Sequence, residues 1–296
     1  MAIIYDKSVR SFHLKTKNTS YIMKIYREEY LAHLYYGKRL EVNDIGLRFE
    51  ERAHIMNDTP GDRVFSPETM PQEYPAFGAG DLKNPAYQIR DARGNYISDI
   101  RYVSHYIYRG KKALEGLPST FAGKEDEAET LEIILEDSLI GLAVVLTYTV
   151  FADYDIITRN ARFMNVGKEA IRILKAASVS VDMTGHEFDL IHLTGSWARE
   201  CQFNRMPLCM GRIELDSARG VSSSQHNPFF ALVEKNATED YGDAYGFSLV
   251  YSGNHLSQIE VDQYEQVRLT MGISPMNFEW KLEPGACFQT PECVMA

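Results

Sequence analysis

The sequence predicts an all-β fold, a large sandwich of two antiparallel sheets with little helix. Three observations carry that prediction. Apolar and polar residues alternate with a period of two through most structured stretches, as half-buried strands require. Turn residues punctuate those runs at short intervals. No stretch shows the spacing of a long amphipathic helix. At 296 residues the chain is long for an ordinary domain, but large β-sandwiches reach this size as single units, so one domain over 1–296 is expected.

The runs IIYD, SFHLKT, SYIMKIY and LAHLYYG read as a first meander, separated by polar clusters such as Lys17-Asn18-Thr19. From about 41 to 85 the alternation fails. Pro60, Pro67, Pro71, Pro75 and Pro85, with Gly61, Gly78 and Gly80, forbid a regular ladder. The stretch FSPETMPQEYPAFGAGDLKNPAY within it is too aromatic for disorder, which predicts an ordered excursion packed on something. Strands resume at AYQIRD and NYISDIRYVSHYIY. The strongest β signal follows at 129–167, where Leu142, Val144, Leu146, Tyr148 and Val150 share one face. IRILKAASVSVDM reads as a strand pair, Gly185 to Ser224 as a second group of loops, and Phe229 to Glu234 as a strand. The block 245–292 reads as four strands side by side. Its runs are Ile259 with Val261, Val267 with Leu269 and Met271, and Phe278 with Trp280 and Leu282, and Gln263 to Gln266 form a hairpin turn.

Composition removes several function classes. A formal charge of −10 argues against a nucleic-acid partner, which needs a basic surface. No run reaches the roughly 20 apolar residues of a membrane span, and charge at Asp6 and Lys7 comes too early for a secretion signal. Cys201, Cys209, Cys287 and Cys293 lack metal-ligand spacing and read as reduced thiols of a cytoplasmic protein. His186 and His192 lie six apart rather than the four that a helical zinc motif needs, so neither metal nor cofactor is expected. Phosphate-loop, dinucleotide and nucleophile-elbow patterns are absent. Gln225-His226-Asn227-Pro228 could bind a hydroxylated ligand, although a turn satisfying its own backbone is the plainer explanation.

The acids and arginines of the irregular stretch, among them Glu50, Glu51, Arg52, Asp58, Asp62, Arg63, Glu73 and Asp81, stand among its aromatics. Such a mixture suits a sugar-recognising surface and equally a subunit interface. The residues alone lead to a large β-sandwich with one long functional loop.

Four blocks then point to a family: FSPETMPQEYPAFGAGDLKNPAY, GSWARE, SSSQHNPFFALV and YGFSLVYSGNHLSQIEVDQ with RLTMGISPMNFEWKLEPGACFQTPE. Together they resemble the N-terminal part of bacterial α-galactosidases of glycoside hydrolase family 36, over essentially the whole chain. Pro67-Glu68 departs from a usual Leu-Asp, Glu265 from a usual turn glycine, and Cys287 and Cys293 from common Ser and Val. The resemblance implies a β-supersandwich of the galactose-mutarotase type that precedes a (β/α)8 catalytic barrel, with both catalytic aspartates in that barrel. No catalytic residue is therefore expected in this chain, which should be inactive alone. Its implied partners are the barrel, its own or separately encoded, an α-galactoside such as melibiose or raffinose, and copies of itself in a homo-oligomer, a tetramer in the intact enzyme. The loop 51–81 is implied to reach a neighbouring subunit's active-site mouth, which makes Glu51, Arg52, Tyr74, Phe77 and Asp81 the candidate substrate-binding residues. The alternative is a free-standing galactose-binding or mutarotase-like sandwich, with His105, His192 or His226 working beside a glutamate.

Overall fold

Alternation in the first meander becomes strand directly: β1 (Ile3–Asp6), β2 (Ser11–Lys15), β3 (Thr19–Tyr26) and β4 (Tyr30–Lys38) pair in chain order as a four-stranded antiparallel sheet. A computed structural model describes residues 2–27, 29–49, 65–183, 185 and 187–296. Beyond the long excursion come β5 (Tyr87–Arg90), β6 (Arg101–Arg109), β7 (Glu129–Asp137), β8 (Leu142–Phe151), β9 (Ile156–Asn165) and β10 (Ile171–Met183). They are followed by β11 (Phe188–Ser196), β12 (Arg199–Pro207), β13 (Gly211–Asp216), β14 (His226–Glu234) and β15 (Ala244–Val250). The chain closes with β16 (His255–Val261), β17 (Val267–Ile273), β18 (Trp280–Leu282), β19 (Cys287–Gln289) and β20 (Glu292–Met295). Among the described residues, helix is confined to single 3-10 turns at Glu125–Glu127 and Ala152–Tyr154.

The all-β expectation holds, and hydrogen bonding divides the sandwich into three sheets. A six-stranded sheet runs β13-β16-β17-β10-β18, with β5 also on β10. A ten-stranded sheet runs β12-β11-β14-β15-β20-β9-β8-β7-β6, with β19 on β9. One core joins all three: Phe12 and Tyr21, then Val144, Leu146 and Tyr148, then Val179, Leu269 and Met271 belong to a single buried cluster. That is how strands with one apolar face each remove it from water.

Four expectations are corrected. The segment IRILKAASVSVDM is one strand, not two. Its register slips between Ile173 and Lys175 and between Ala177 and Val179, and such bulges bend a strand so that it can change partners. The first half of β10 pairs β5 and β18, the second half β17. Gly272 is required at that bend, because a Cβ there would lie 2.7 Å from the Ala177 Cα.

Residues 185–224 carry strands β11, β12 and β13 rather than loops. Strand β12 is an edge strand exposed along nearly its whole length, so no alternation marked it. The block 245–292 does not lie side by side either. Its β16–β17 hairpin joins the six-stranded sheet, whereas β15 belongs to the ten-stranded one; Trp280 is half exposed and only Leu282 of that run is buried. Finally, of 95–108 only the part from Arg101 is strand. Ser98 and Asp99 instead turn onto the Asp137 carboxylate.

The β16–β17 turn shows why a glycine suits position 265. Its φ is +60°, a left-handed conformation that costs a side chain roughly 1–2 kcal/mol and glycine little. Glu265→Gly should therefore raise the melting temperature by a few degrees, as thermal unfolding would show. A lower melting temperature would mean that the side chain's own contacts outweigh the strain.

Candidate functional site

The described part of the excursion, 65–85, is placed by backbone first. Ala32 of β4 bridges to Gln72, and the His33 and Glu73 amides donate to Pro71 and Leu31 carbonyls at 3.0 and 3.1 Å. The chain is thus laid along the free side of β4, though its prolines prevent a full strand. Further on, Ala76 bridges to Tyr87 of β5.

Glu73 then enters the space between sheets. It is fully buried, and its carboxylate accepts from the Tyr21 hydroxyl at 2.8 Å and the Tyr148 hydroxyl at 2.7 Å, with His33 Nδ1 at 2.7 Å. Arg159, also buried, has a nitrogen 3.3 Å from the same carboxylate and donates to both phenol oxygens, at 2.9 and 3.1 Å. Burial opposes ionisation of Glu73, but the Arg159 charge and the His33 and Tyr148 hydrogen bonds outweigh it and hold the carboxyl below its ordinary range.

A second anchor uses the six-stranded sheet. Arg268 of β17 grips Asp182 of β10 at 2.6 and 2.7 Å and reaches Asp81 at 2.7 Å, with all three side chains buried. Asp81 also accepts from Gln72 Nε2 at 2.9 Å, and Asp182 from the Gln72 amide at 2.9 Å. Burial pushes the Asp182 carboxyl up, and the adjoining Arg268 guanidinium overrides it, for a net lowering. Asn84 completes the attachment. Lys175 Nζ donates to Asn84 Oδ1 and Gln258 Oε1, both at 2.8 Å, and burial, helped by Arg212 and Arg268, pulls that amine down to about 7.

The five candidate residues fall into three groups. Tyr74 and Asp81 face inward: the Tyr74 hydroxyl donates to the Ala177 carbonyl at 2.5 Å, its ring stacks on Tyr87, and both residues line a void of about 20 Å3, room for one water and not for a sugar ring. Phe77 has 42% of its surface exposed and offers an open aromatic face. Glu51 and Arg52, with Glu50, Asp58, Asp62 and Arg63, lie outside the described residues, as does His186. What the structure does show is their base. Phe49 and Phe65, on either side of 50–64, have ring centroids 6.2 Å apart, and Phe65 packs on Tyr26 and Tyr30 at 5.8 and 5.3 Å. The described residues on either side of 50–64 thus belong to one aromatic cluster on the β3–β4 hairpin.

The histidines are placed differently from the mutarotase-like alternative. His105 packs against both Tyr5 and Phe12 and meets the Tyr102 hydroxyl, while the His192 and His226 rings lie edge-on at 6.3 Å. Among the described residues the close His–Glu pair is His33 with Glu73, with side chains 4% and 0% exposed, out of reach of a substrate. Sequence reasoning missed both it and the Arg159 and Arg268 hubs. The available signal was a charged residue on the apolar face of a strand: Arg159 shares the face of Ile157, Ala161 and Phe163, all buried.

A profile of the glycosyl hydrolase family 36 N-terminal domain matches residues 29–283. The chain belongs to that family. Its relatives include the α-galactosidase AgaA of Geobacillus stearothermophilus, 50% identical over all of this chain and 41% of that protein. Among solved structures, the family 36 α-galactosidase AgaB of the same organism superposes with a TM-score of 0.96 at 49% identity, covering all of this chain and 41% of its own. An AgaA variant solved in complex with raffinose superposes at 0.93, with 50% identity, over 97% of this chain and 40% of its own. The chain thus spans about two fifths of the length of these family 36 relatives. Among its described residues no helix is long and apolar enough to cross a membrane.

Proposed function

We propose that the chain is the non-catalytic N-terminal portion of a retaining α-galactosidase acting on terminal α-galactosides such as melibiose and raffinose, and that it helps complete the substrate pocket and assemble a homo-oligomer. One observation carries the reading: the excursion 65–85 is pinned by buried charge to β8 and β9 through Glu73 and to β10 and β17 through Asp81. A loop that merely connected strands would not need two fully desolvated ion clusters. The anchoring gives 50–64 a rigid base from which to present Glu51 and Arg52 to a barrel or a neighbouring subunit. Tyr74 and Asp81 contribute by holding that base, and Phe77 by its exposed ring. Raffinose in the AgaA variant supports the substrate class. Exposed thiols at Cys201, Cys209 and Cys287 suit the reducing cytoplasm.

Two measurements test the proposal. The 296-residue chain alone should turn over no chromogenic α-galactoside, since retention needs a nucleophile and an acid/base carboxyl about 5 Å apart beside an open pocket. Activity that co-purifies with the homogeneous chain would overturn the non-catalytic assignment. In a fusion to a relative's catalytic barrel, Glu51→Ala should cost about 1–3 kcal/mol in kcat/KM, the value of a lost charged hydrogen bond, with the melting temperature unchanged. Unchanged kinetics per folded oligomer would make the loop architectural.

A further inference from the structure

The ten-stranded sheet has a second face. Leu131, Ile133, Leu146 and Tyr148 take its core side, so alternation turns their neighbours to the other. There the ladder registers bring polar residues into a row: Tyr106 opposite Glu132, Glu132 opposite Thr147, Thr147 opposite Asn160. Beside that row Arg162 stands opposite Gln289 of β19. Such a polar face would ordinarily be left to solvent, yet Asn160 is only 5% exposed. The irregular segment after β6 roofs it, tethered where Lys111 Nζ meets Glu292 Oε1 at 2.8 Å and the Thr120 amide and hydroxyl donate to Glu292 Oε2 at 2.7 and 2.8 Å. Between roof and sheet lies a cavity of about 240 Å3, lined by Tyr108, Lys112, Glu132, Asn160, Arg162 and Gln289.

Its polar groups are arranged but not exhausted. Tyr108 donates to Glu132 Oε1 at 2.9 Å, Lys112 Nζ stands 4.5 Å above the Tyr108 ring, and Gln289 Nε2 donates to Asn160 Oδ1 at 2.9 Å. Arg162 Nε is buried with no hydrogen-bond partner among the described residues. A buried donor left without a partner is unfavourable.

We propose that this cavity binds a single neutral pyranose such as galactose. A carboxylate, two carboxamides and a guanidinium supply both acceptors and donors for hydroxyl groups. The Tyr108 ring, with Lys112 Nζ over one face, adds an aromatic wall to the lining. Charges of both signs line the cavity, which does not suit phosphate or a carboxylate ligand. The volume admits one ring and excludes an oligosaccharide, and none of the loop residues takes part, so this site stands or falls apart from the function proposed above.

Cys287 lies on the rim and is exposed, which makes it a reporter. In the full chain with Cys201→Ser and Cys209→Ser, D-galactose at twice its dissociation constant should slow maleimide labelling of Cys287 about threefold. Saturation-transfer NMR should show contact with the galactose ring protons. Arg162→Met and, separately, Gln289→Ala should abolish both signals while leaving β-type circular dichroism intact. The proposal is overturned if galactose gives neither signal up to its solubility, or if both signals survive in the two variants. Protection by inorganic phosphate with none by galactose would overturn it as well.

Discussion

Glu73→Gln is expected to remove about 3–5 kcal/mol of stability, because it leaves the fully buried Arg159 guanidinium without its counterion while changing almost no volume. Domains of this kind have only about 5–15 kcal/mol to lose, so the variant should unfold at markedly lower urea, or fail to fold at 37 °C. Replacing both charges, Glu73→Met with Arg159→Met, should recover much of the loss, since a well-packed apolar pair dispenses with the desolvation that a lone ion suffers. A single variant within about 1 kcal/mol of the parent would show that Tyr21, Tyr148 and the Ser180 carbonyl alone satisfy Arg159. The same carboxylate sets an acid limit. The folded-state pKa values of Glu73 and Asp182 lie below their ordinary ones, so their stabilisation is fully present above the unfolded-state values near 4 and is lost as pH falls through the folded ones. Urea midpoints should hold through neutral pH and drop steeply below about pH 4, and Glu73→Gln should flatten that drop.

Deleting Glu292–Ala296 should be at least as damaging. These five residues include β20, which lies between β15 and β9 and is the seam joining the two halves of the ten-stranded sheet. Removing it exposes two inner strand edges, a ready template for association. It also strips Cys293 and Met295 from the core and leaves Lys111, whose side chain is 3% exposed, without Glu292. Burial of a Met-sized side chain stabilises by about 1.5–3 kcal/mol, and an orphaned buried charge costs about 3–5 kcal/mol. The sum matches the stability of a modest domain. The truncated chain should lose its cooperative transition and elute as aggregate, whereas Val294→Ala, at the half-buried position of the strand, should melt close to the parent. A sharp two-state transition in the truncated chain would refute the seam role.

Legibility from sequence followed a simple physical line. Strands whose apolar residues recur with a period of two, such as β1 to β4, were readable, although β2 to β4 are buried on both faces. Strand β8, with Leu142 to Val150 alternating on the core side, was the clearest. Strand β12 wrote nothing, because an edge strand exposed on both faces constrains neither set of side chains. Strand β18 misled in the opposite sense: Phe278-Glu279-Trp280-Lys281-Leu282 alternates, but just three of its residues pair, and Trp280 stays half exposed.

The candidate loop shows the same division. Its prolines and aromatics announced an ordered excursion without ladder, and the structure has it so over 65–85. Which of its polar residues were structural was not written locally. Tyr74 and Asp81 carry the composition of a sugar-binding surface, yet they turn inward to Ala177 and Arg268, partners 103 and 187 positions away. Local pattern determined the strand content and the place of the long loop, because alternation and proline act on neighbouring residues. Only tertiary structure decided that Glu73, Arg159, Asp182 and Arg268 carry buried charge, since the desolvation of an ion is compensated across sheets by groups far away in the chain.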